Sequence, residues 1–342
     1  MRVMLVQPGV AFSVADVHRG WVKALRQLGH TVVDFNFDDR LAFYSQVHLR
    51  DQDTGEFGKA LDARGAATIA AKGIEIAAFE FWPDLIIVTS GFYIPEQLYE
   101  VLQARGMKVV LHHLEAPYED AAVIKKAGAV HAVMVNDPTN LELFRAVNPK
   151  TWYMPHAYDP DVHRPGPAVP DAASDFCFVG TGFPSRAEFF EQVDWGTTDV
   201  ALAGNWRGLD RDSKLRKYLA HDINAGCDNT DAVDLYRSTK VSANLYRREA
   251  VLPGGEGGWA MGPREVELAA CGTFFLREPR GEGDEALSML PTFYSPEEFQ
   301  SLLHHYLARP ELRTDLARQA RRAVAGRLFL TNALELLRLL GL

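Results

Sequence analysis

The chain has 342 residues, of which 47% are hydrophobic and 24% charged, the composition of a soluble globular protein large enough for two domains. Its net charge of −9 excludes a global nucleic-acid-binding field, although local basic clusters occur. No stretch reaches the roughly 20 apolar residues that a membrane-spanning helix needs. Three widely separated cysteines, Cys177, Cys227 and Cys271, argue against a disulfide framework and a structural zinc site. We therefore expect a cytoplasmic protein.

The first half of the chain alternates short apolar strands with helices. Residues 3–7 predict a strand, 17–28 a helix and 31–35 a second strand, which together make a β-α-β unit. A polar, irregular stretch covers 40–65. The alternation then resumes with helices at 66–81, 94–105, 121–127 and 138–147 and strands at 85–88, 108–111 and 132–135. This pattern is typical of a parallel, doubly wound sheet.

Polar side chains follow several of these strands, at the edge where open α/β sheets place ligands. The loop after the first strand leads to Asp16 and His18, and the strand at 108–111 is followed by His112 and Glu115. Each of the four can accept a proton from a hydroxyl group, so they are candidate general bases. A histidine at such a position is more often a structural group than a catalyst, which is the alternative for His18 and His112.

A proline-rich connector between residues 155 and 170 interrupts the periodicity and marks a domain boundary. We predict domains at 1–160 and 161–325, followed by a last helical segment at 326–342. Beyond the connector the alternation restarts, with strands at 176–179, 199–202 and 241–245. Three terminal helices are predicted at 296–308, 310–325 and 332–340.

Residues 262–273 combine a helix start, a charged pair and a helix stop. Pro263 suits a first helical turn, and Gly272 ends the helix before the apolar run 274–276. Arg264 and Glu267 are three residues apart, so they lie on one face near the helix N-terminus, where the dipole favours an anion. A cation, a carboxylate and a helix start together suit a sugar nucleotide. An ordinary surface ion pair is the alternative.

The connector, the Gly180-Thr181-Gly182 turn after strand 176–179, and Arg264-x-x-Glu267 with its following glycine resemble the GT-B glycosyltransferases, specifically the group-1, CgeB-like branch. The resemblance implies an α/β fold of two facing Rossmann-like domains, with a C-terminal helix that crosses back to the N-terminal domain. It also implies that the first domain binds the acceptor and the second the nucleotide-sugar donor.

The resemblance assigns roles to single residues. Glu267 is similar to the carboxylate that hydrogen-bonds the donor ribose, and Arg264 to the arginine that precedes it. Gly180, Thr181 and Gly182 match a glycine-rich turn whose backbone approaches a phosphate.

Two arginines extend this donor-binding set. Arg186 matches the family's next arginine, which implies contact with the diphosphate, and Arg207, just after a predicted strand, is a further candidate. The chain departs from the wider family at Trp259, eight residues before Glu267, where many relatives carry a first glutamate. Glu256 is nearby but out of step.

The implied activity is that of a hexosyl- or pentosyltransferase. It would move a sugar from a nucleotide-diphosphate sugar, such as a UDP-sugar, to a hydroxyl of a small molecule, a glycan or a modified DNA base. The nucleotide sugar is a co-substrate, and no further cofactor is expected. No Asp-x-Asp motif follows an apolar strand, since Asp51-Gln52-Asp53 lies in a polar stretch, so we predict no metal. Arginines would then meet the charge of the leaving diphosphate.

Three alternatives stay open. The first is a catalytically silent module that binds nucleotide sugars, which the missing first glutamate favours slightly. The second is a glycosyltransferase of the phage type that acts on hydroxylated DNA bases, against which the acidic net charge counts. The third is a nucleotide-sugar epimerase of the same architecture.

Overall fold

The computed structural model describes residues 1–9, 14–50, 52–249 and 257–342. The chain forms two compact units, Met1–Pro155 together with Phe329–Leu342, and His156–Leu328. In sequence, the second unit is therefore inserted between two parts of the first. Among the described residues, no helix has both the length and the apolar character needed to span a membrane.

The first unit begins with an alternation of strands and helices. Its strands are β1 (Arg2–Val6), β2 (Thr31–Phe35), β3 (His48–Arg50), β4 (Phe57–Ala60), β5 (Leu85–Thr89), β6 (Lys108–His113), β7 (Ala132–Val135) and β8 (Thr151–Tyr153). Its helices up to Pro155 are α1 (Ala15–Gln27), α2 (Asp38–Tyr44), α3 (Ala63–Phe81), α4 (Glu96–Ala104), α5 (Asp120–Ala127) and α6 (Leu141–Val147).

Six of these strands form a sheet in the order β2-β1-β5-β6-β7-β8, and every neighbouring pair is parallel. All residues of β5 and β7 are buried, as expected for central strands with both faces covered by helices. The chain passes from β1 to β2 on one side and returns to β5 on the other side of β1. The topology therefore switches between β1 and β5, and the predicted parallel, doubly wound sheet is confirmed.

The stretch predicted to be irregular, 40–65, contains regular elements. It includes most of α2 and the antiparallel pair β3–β4, with a register shift between His48 and Arg50. These elements are only three to seven residues long, which is too short for the sequence to show an apolar period.

The second unit repeats the architecture on a smaller scale. Its strands are β9 (Ser174–Val179), β10 (Val200–Ala203), β11 (Thr239–Asn244) and β12 (Phe275–Arg277), in the parallel order β10-β9-β11-β12. Its helices are α7 (Pro184–Gln192), α8 (Asn229–Ser238), α9 (Pro263–Cys271), α10 (Gly281–Ala286), α11 (Pro296–Leu307) and α12 (Pro310–Ala323), with 3₁₀ turns at Pro170–Ala172 and Lys214–Tyr218. Here the topology switches between β9 and β11.

Aromatic side chains fill the core of the second unit. Phe178 of β9 meets Phe190 of α7 with ring centroids 5.0 Å apart, and Phe176 meets Trp195 at 5.2 Å and Phe299 of α11 at 5.4 Å. Large rings bury much apolar area, and the contacts of Phe178 with Phe190 and of Phe176 with Phe299 are edge-on, an arrangement that aromatic pairs favour. This packing fixes α7 against β9, and α7 carries Arg186.

The helix after the second unit, α13 (Phe329–Leu340), packs within the first unit, mainly against α1. A Cβ at Gly20 of α1 would overlap the ring of Phe329, so the glycine makes room for that ring. Asn332 donates from Nδ2 to the carbonyl oxygen of Pro155 at 2.8 Å. The two parts of the first unit are thus joined by both packing and a hydrogen bond.

Candidate functional site

The switch point between β9 and β11, in the sheet of the second unit, is a candidate ligand site. Open α/β sheets bind ligands at the carboxyl ends of strands where the topology reverses. The loops after β9 and β11 flank this point. Arg186, in the first turns of α7, donates from Nη1 to the carbonyl of Thr181 at 3.0 Å and from Nη2 to that of Leu245 at 2.5 Å. One guanidinium therefore joins the two loops and places a positive charge at the switch point.

Close packing requires a glycine in the loop after β9 and another in the loop after β10. A Cβ at Gly182 would overlap the ring of Trp206, and Gly204, with a φ of +110°, lies so close that its Cβ would overlap the Gly180 carbonyl. The amide of Gly180 donates to Ala203 at 2.9 Å, and that of Gly182 donates to Asn205 at 2.8 Å. Two of the three amides predicted to approach a phosphate are therefore donors within the protein, because this loop packs directly on the loop after β10.

Arg264 and Glu267 form the pair that their spacing predicts. Nη1 of Arg264 lies 3.0 Å from Oε2 of Glu267, and the side chains are 25% and 13% exposed, so the pair is partly buried. The Arg264 guanidinium lies 5.5 Å from the ring centroid of Tyr236, a cation–π contact with α8. The pKa of His163, which senses both charges, is lowered mainly by burial. The charge of Glu267 opposes this shift, and the charge of Arg264 adds to it. Glu267 is thus held in place by a cation that is itself packed on a ring.

Sequence reasoning missed Glu265, the fully buried carboxylate between these two residues. It accepts hydrogen bonds from the Tyr246 hydroxyl and, at 2.9 Å, from the amide of Gly262, the residue that precedes α9. The N-terminus of α9 is therefore capped by the chain's own anion. Burial raises the pKa of Glu265 to about 7, opposed by these hydrogen bonds and by the charges of Arg277 and Arg280.

Two buried charged residues, Glu278 and Arg280, follow β12. Glu278 accepts from the amide of Tyr246 at 2.6 Å and from Arg248, while Arg280 donates from Nε to the carbonyl of Gly258 at 2.6 Å and lies over the Tyr246 ring at 4.1 Å. These contacts tie the loop after β11 to the segment before α9. The signal available in the sequence was the charged run that directly follows the apolar residues 274–276.

Arg207 and Trp259 have structural partners. Arg207 is exposed and donates from Nε and Nη2 to the carbonyl of Asn224, at 3.2 and 2.5 Å. The ring of Trp259 packs where a Cβ of Gly281 would lie, at the start of α10. Glu256 and Asp51 lie outside the described residues.

In the first unit, Asp16 and His18 lie at the start of α1, beside the switch point between β1 and β5. Asp16 is 30% exposed and pairs with Arg19. His18 is 2% exposed and lies between two strands: its Nε2 is 2.8 Å from Oδ1 of Asp34 and its Nδ1 is 2.9 Å from Oγ1 of Thr89. Both ring nitrogens of His18 therefore have protein partners, which fits a structural role for this histidine.

The candidates after β6 also differ in access. His112 is 3% exposed and meets Trp21 edge-on with centroids 5.2 Å apart, whereas Glu115 is partly exposed. His113, which follows His112, is fully buried, with Nε2 2.7 Å from Oδ1 of Asp120. Of the four predicted bases, Asp16 and Glu115 are therefore the two that solvent can reach.

The comparisons with known proteins agree on the fold. Residues 186–335 match the protein family described as "Glycosyl transferase-like". No curated protein matches the chain in sequence.

Solved structures resemble the chain over its whole length. Trehalose-6-phosphate synthase OtsA is similar with a TM-score of 0.67 at 12% identity, covering 100% of this chain and 99% of its own. Sucrose-phosphate synthase from Thermosynechococcus elongatus gives 0.65 at 12%, covering 100% and 98%. HepE from Anabaena, solved with UDP-glucose, gives 0.64 at 11%, covering 100% and 99%. The chain therefore has the GT-B fold.

Proposed function

We propose that this protein is a glycosyltransferase of the CgeB-like branch, which moves a sugar from a nucleotide-diphosphate sugar to a hydroxyl acceptor without a metal ion. The first unit is the proposed acceptor-binding domain and the second the donor-binding domain. The family match covers most of the second unit, and HepE, which has a similar fold, was solved with UDP-glucose. Arg186, held across the switch point by two carbonyls, is the observation that carries the proposal.

The proposed chemistry uses charge supplied by the chain. As the sugar leaves, negative charge builds up on the diphosphate, and a fixed guanidinium beside it stabilises that charge. Arg186 fits this role because its orientation is set before any ligand arrives. Glu267 is proposed to accept hydrogen bonds from the ribose, with Arg264 as the residue that positions it.

The acceptor hydroxyl needs a base if the sugar is transferred with inversion. We propose Asp16 or Glu115, because both are accessible while His18 and His112 are buried. Asp16→Asn and Glu115→Gln separate the two. Replacing the residue that serves as the base should lower the transfer rate and leave the donor affinity unchanged.

Calorimetry with UDP, GDP and their sugars tests the donor site. We expect Glu267→Ala and Arg186→Ala to lose nucleotide binding, because each removes a group proposed to contact the donor. Glu285→Ala, which changes an exposed carboxylate in the same unit, is the matched control and should bind as the wild type does. Unchanged affinity in Glu267→Ala would reject the site. A wild-type protein that binds none of these nucleotides would reject the proposed function.

A further inference from the structure

A cavity of about 740 Å³ lies in the first unit, between α3, the loop after β5, α4 and α5. Small side chains of α3, including Ala67 and Ala71, form one wall, and Ile94, Leu98 and Val101 form the opposite wall. This volume and this mostly apolar lining are those of small-molecule sites in proteins. None of the residues assigned above to the donor lines this cavity.

The loop after β5, which contributes Ile94 to the cavity wall, is held in a fixed conformation. Lys126 donates from Nζ to the carbonyls of Gly91, Phe92 and Ile94, at 2.7, 2.8 and 3.0 Å, which uses all three of its N–H groups. Burial lowers the pKa of Lys126 to about 8. Gly91 has a φ of +67°, and a Cβ there would collide with Leu111 and the Tyr99 hydroxyl. The wall is therefore preformed.

The charged residues around the cavity are mainly basic, although the chain as a whole carries −9. Four cations, Arg64, Lys72, Lys125 and Lys126, line it with two carboxylates, Glu75 and Glu96. Lys72 is paired with Glu75 at 2.6 Å, and Glu96 is the charge that acts on Lys126.

Two of these cations have no acidic partner among the described residues. Arg64 and Lys125 are exposed, and within the described part of the chain their side chains form no hydrogen bond or ion pair. An apolar hollow with two uncompensated cations at its rim is complementary to an apolar molecule that carries a negative charge.

We propose that this cavity binds a small organic anion: an aromatic or branched alkyl body bearing one carboxylate, sulfonate or phosphate. The body occupies the space between Ala71 and Val101, and the anion pairs with Arg64 and Lys125. The proposal does not depend on sugar transfer, because it uses none of the donor-site residues.

Two fluorescent probes with the same rings test it on the full chain: anilinonaphthalenesulfonate, which is an anion, and phenylnaphthylamine, which is neutral. We expect the sulfonate to bind at one site, and the neutral probe to bind at least about tenfold more weakly. Lys125→Gln should weaken sulfonate binding about fivefold and leave the neutral probe unaffected. Lys214→Gln, an exposed lysine in the second unit, is the matched control.

Filling the cavity locates the site. Ala71→Phe should abolish sulfonate binding. Thr68→Trp changes an exposed lining residue and should also abolish it, which provides a second test if Ala71→Phe does not fold. Ile76→Ala changes an exposed apolar residue of α3 outside the lining and should bind as the wild type does.

Three results would overturn the proposal: wild-type binding in a folded, filled variant, equal affinity for the two probes, or loss of binding in Ile76→Ala. Nucleotide affinity, measured in the same variants, should not change. Probe binding therefore tests the cavity proposal, and nucleotide binding separately tests the donor-site proposal.

Discussion

At the scale of single residues, the buried carboxylate of Glu265 makes stability depend on pH. Its pKa rises from 4.5 to about 7 on folding, so between these values the folded protein holds a proton that the unfolded chain releases. The contribution of Glu265 to the free energy of unfolding is therefore greatest below about pH 5 and falls as pH rises to about 7, by up to about 3 kcal/mol. Tyr246, Arg277 and Arg280 are the titratable groups that face it.

Glu265→Gln keeps the shape and an acceptor for Tyr246 but removes this titration. We expect thermal melting of the wild type to lose stability, relative to Glu265→Gln, as pH is raised from about 5 to about 7.5. Parallel pH profiles for the two proteins would mean that Glu265 is already ionised in the folded state at acid pH.

The residues that the sequence predicts are those with local partners. Arg264 and Glu267 meet because three residues separate them on one helix, and that spacing is visible in the sequence. Glu278 meets Arg248, 30 residues earlier, and His18 meets Thr89, 71 residues later. No local pattern encodes such partners, so the pairing of Glu278 with Arg248 and the burial of His18 become visible only in the fold.

At the scale of elements, the loop after β9 depends on the absence of side chains. We expect Gly182→Ala to destabilise the second unit by about 1 to 3 kcal/mol, because the new methyl group meets Trp206, which is fully buried. Gly208→Ala, at a position with open space around it, should be close to neutral. Chemical denaturation followed by tryptophan fluorescence compares the two, and equal midpoints would show that the loop can move away from the ring.

The contact between α1 and α13 permits a double-mutant test. Gly20→Ala should destabilise the first unit because the methyl group overlaps Phe329, and Phe329→Ala should remove that overlap while losing the buried ring. The double variant should therefore be more stable than the sum of the single effects predicts. Strictly additive effects would show that the helices separate freely.

The strands that were predicted well share one property. β5 and β7 are buried on both faces and read as uninterrupted apolar runs, so their type and position follow from the sequence. β3 and β4 are three and four residues long and form a sheet of two strands, and α10 begins with Gly281-Glu282-Gly283. Such elements are specified by their neighbours, which a local pattern does not contain.

At the scale of the whole molecule, the acidic balance opposes contact with nucleic acid. A chain with a net charge of −9 repels a polyanion unless a local basic surface outweighs the rest. We expect no retention of duplex DNA in a gel-shift assay at about 100 mM salt. Binding that weakens steeply as salt is raised would contradict this and favour a modified DNA base as the acceptor.

The two parallel sheets follow one plan, an order that reverses beside the first strand of each, between β1 and β5 in one unit and between β9 and β11 in the other. The likeness of the whole chain to OtsA at 12% identity shows that this plan persists when most residues differ. It is specified by the order and burial of the strands more than by any individual side chain.

The return of α13 to the first unit has a consequence for biosynthesis. Residues 1–155 emerge from the ribosome long before Phe329 does. Gly20 of α1 therefore lacks its contact with Phe329 while the entire second unit is translated. Domains generally fold in the order in which they emerge. In this protein the second unit can reach its native state first, and the first unit is completed only when α13 has left the exit tunnel.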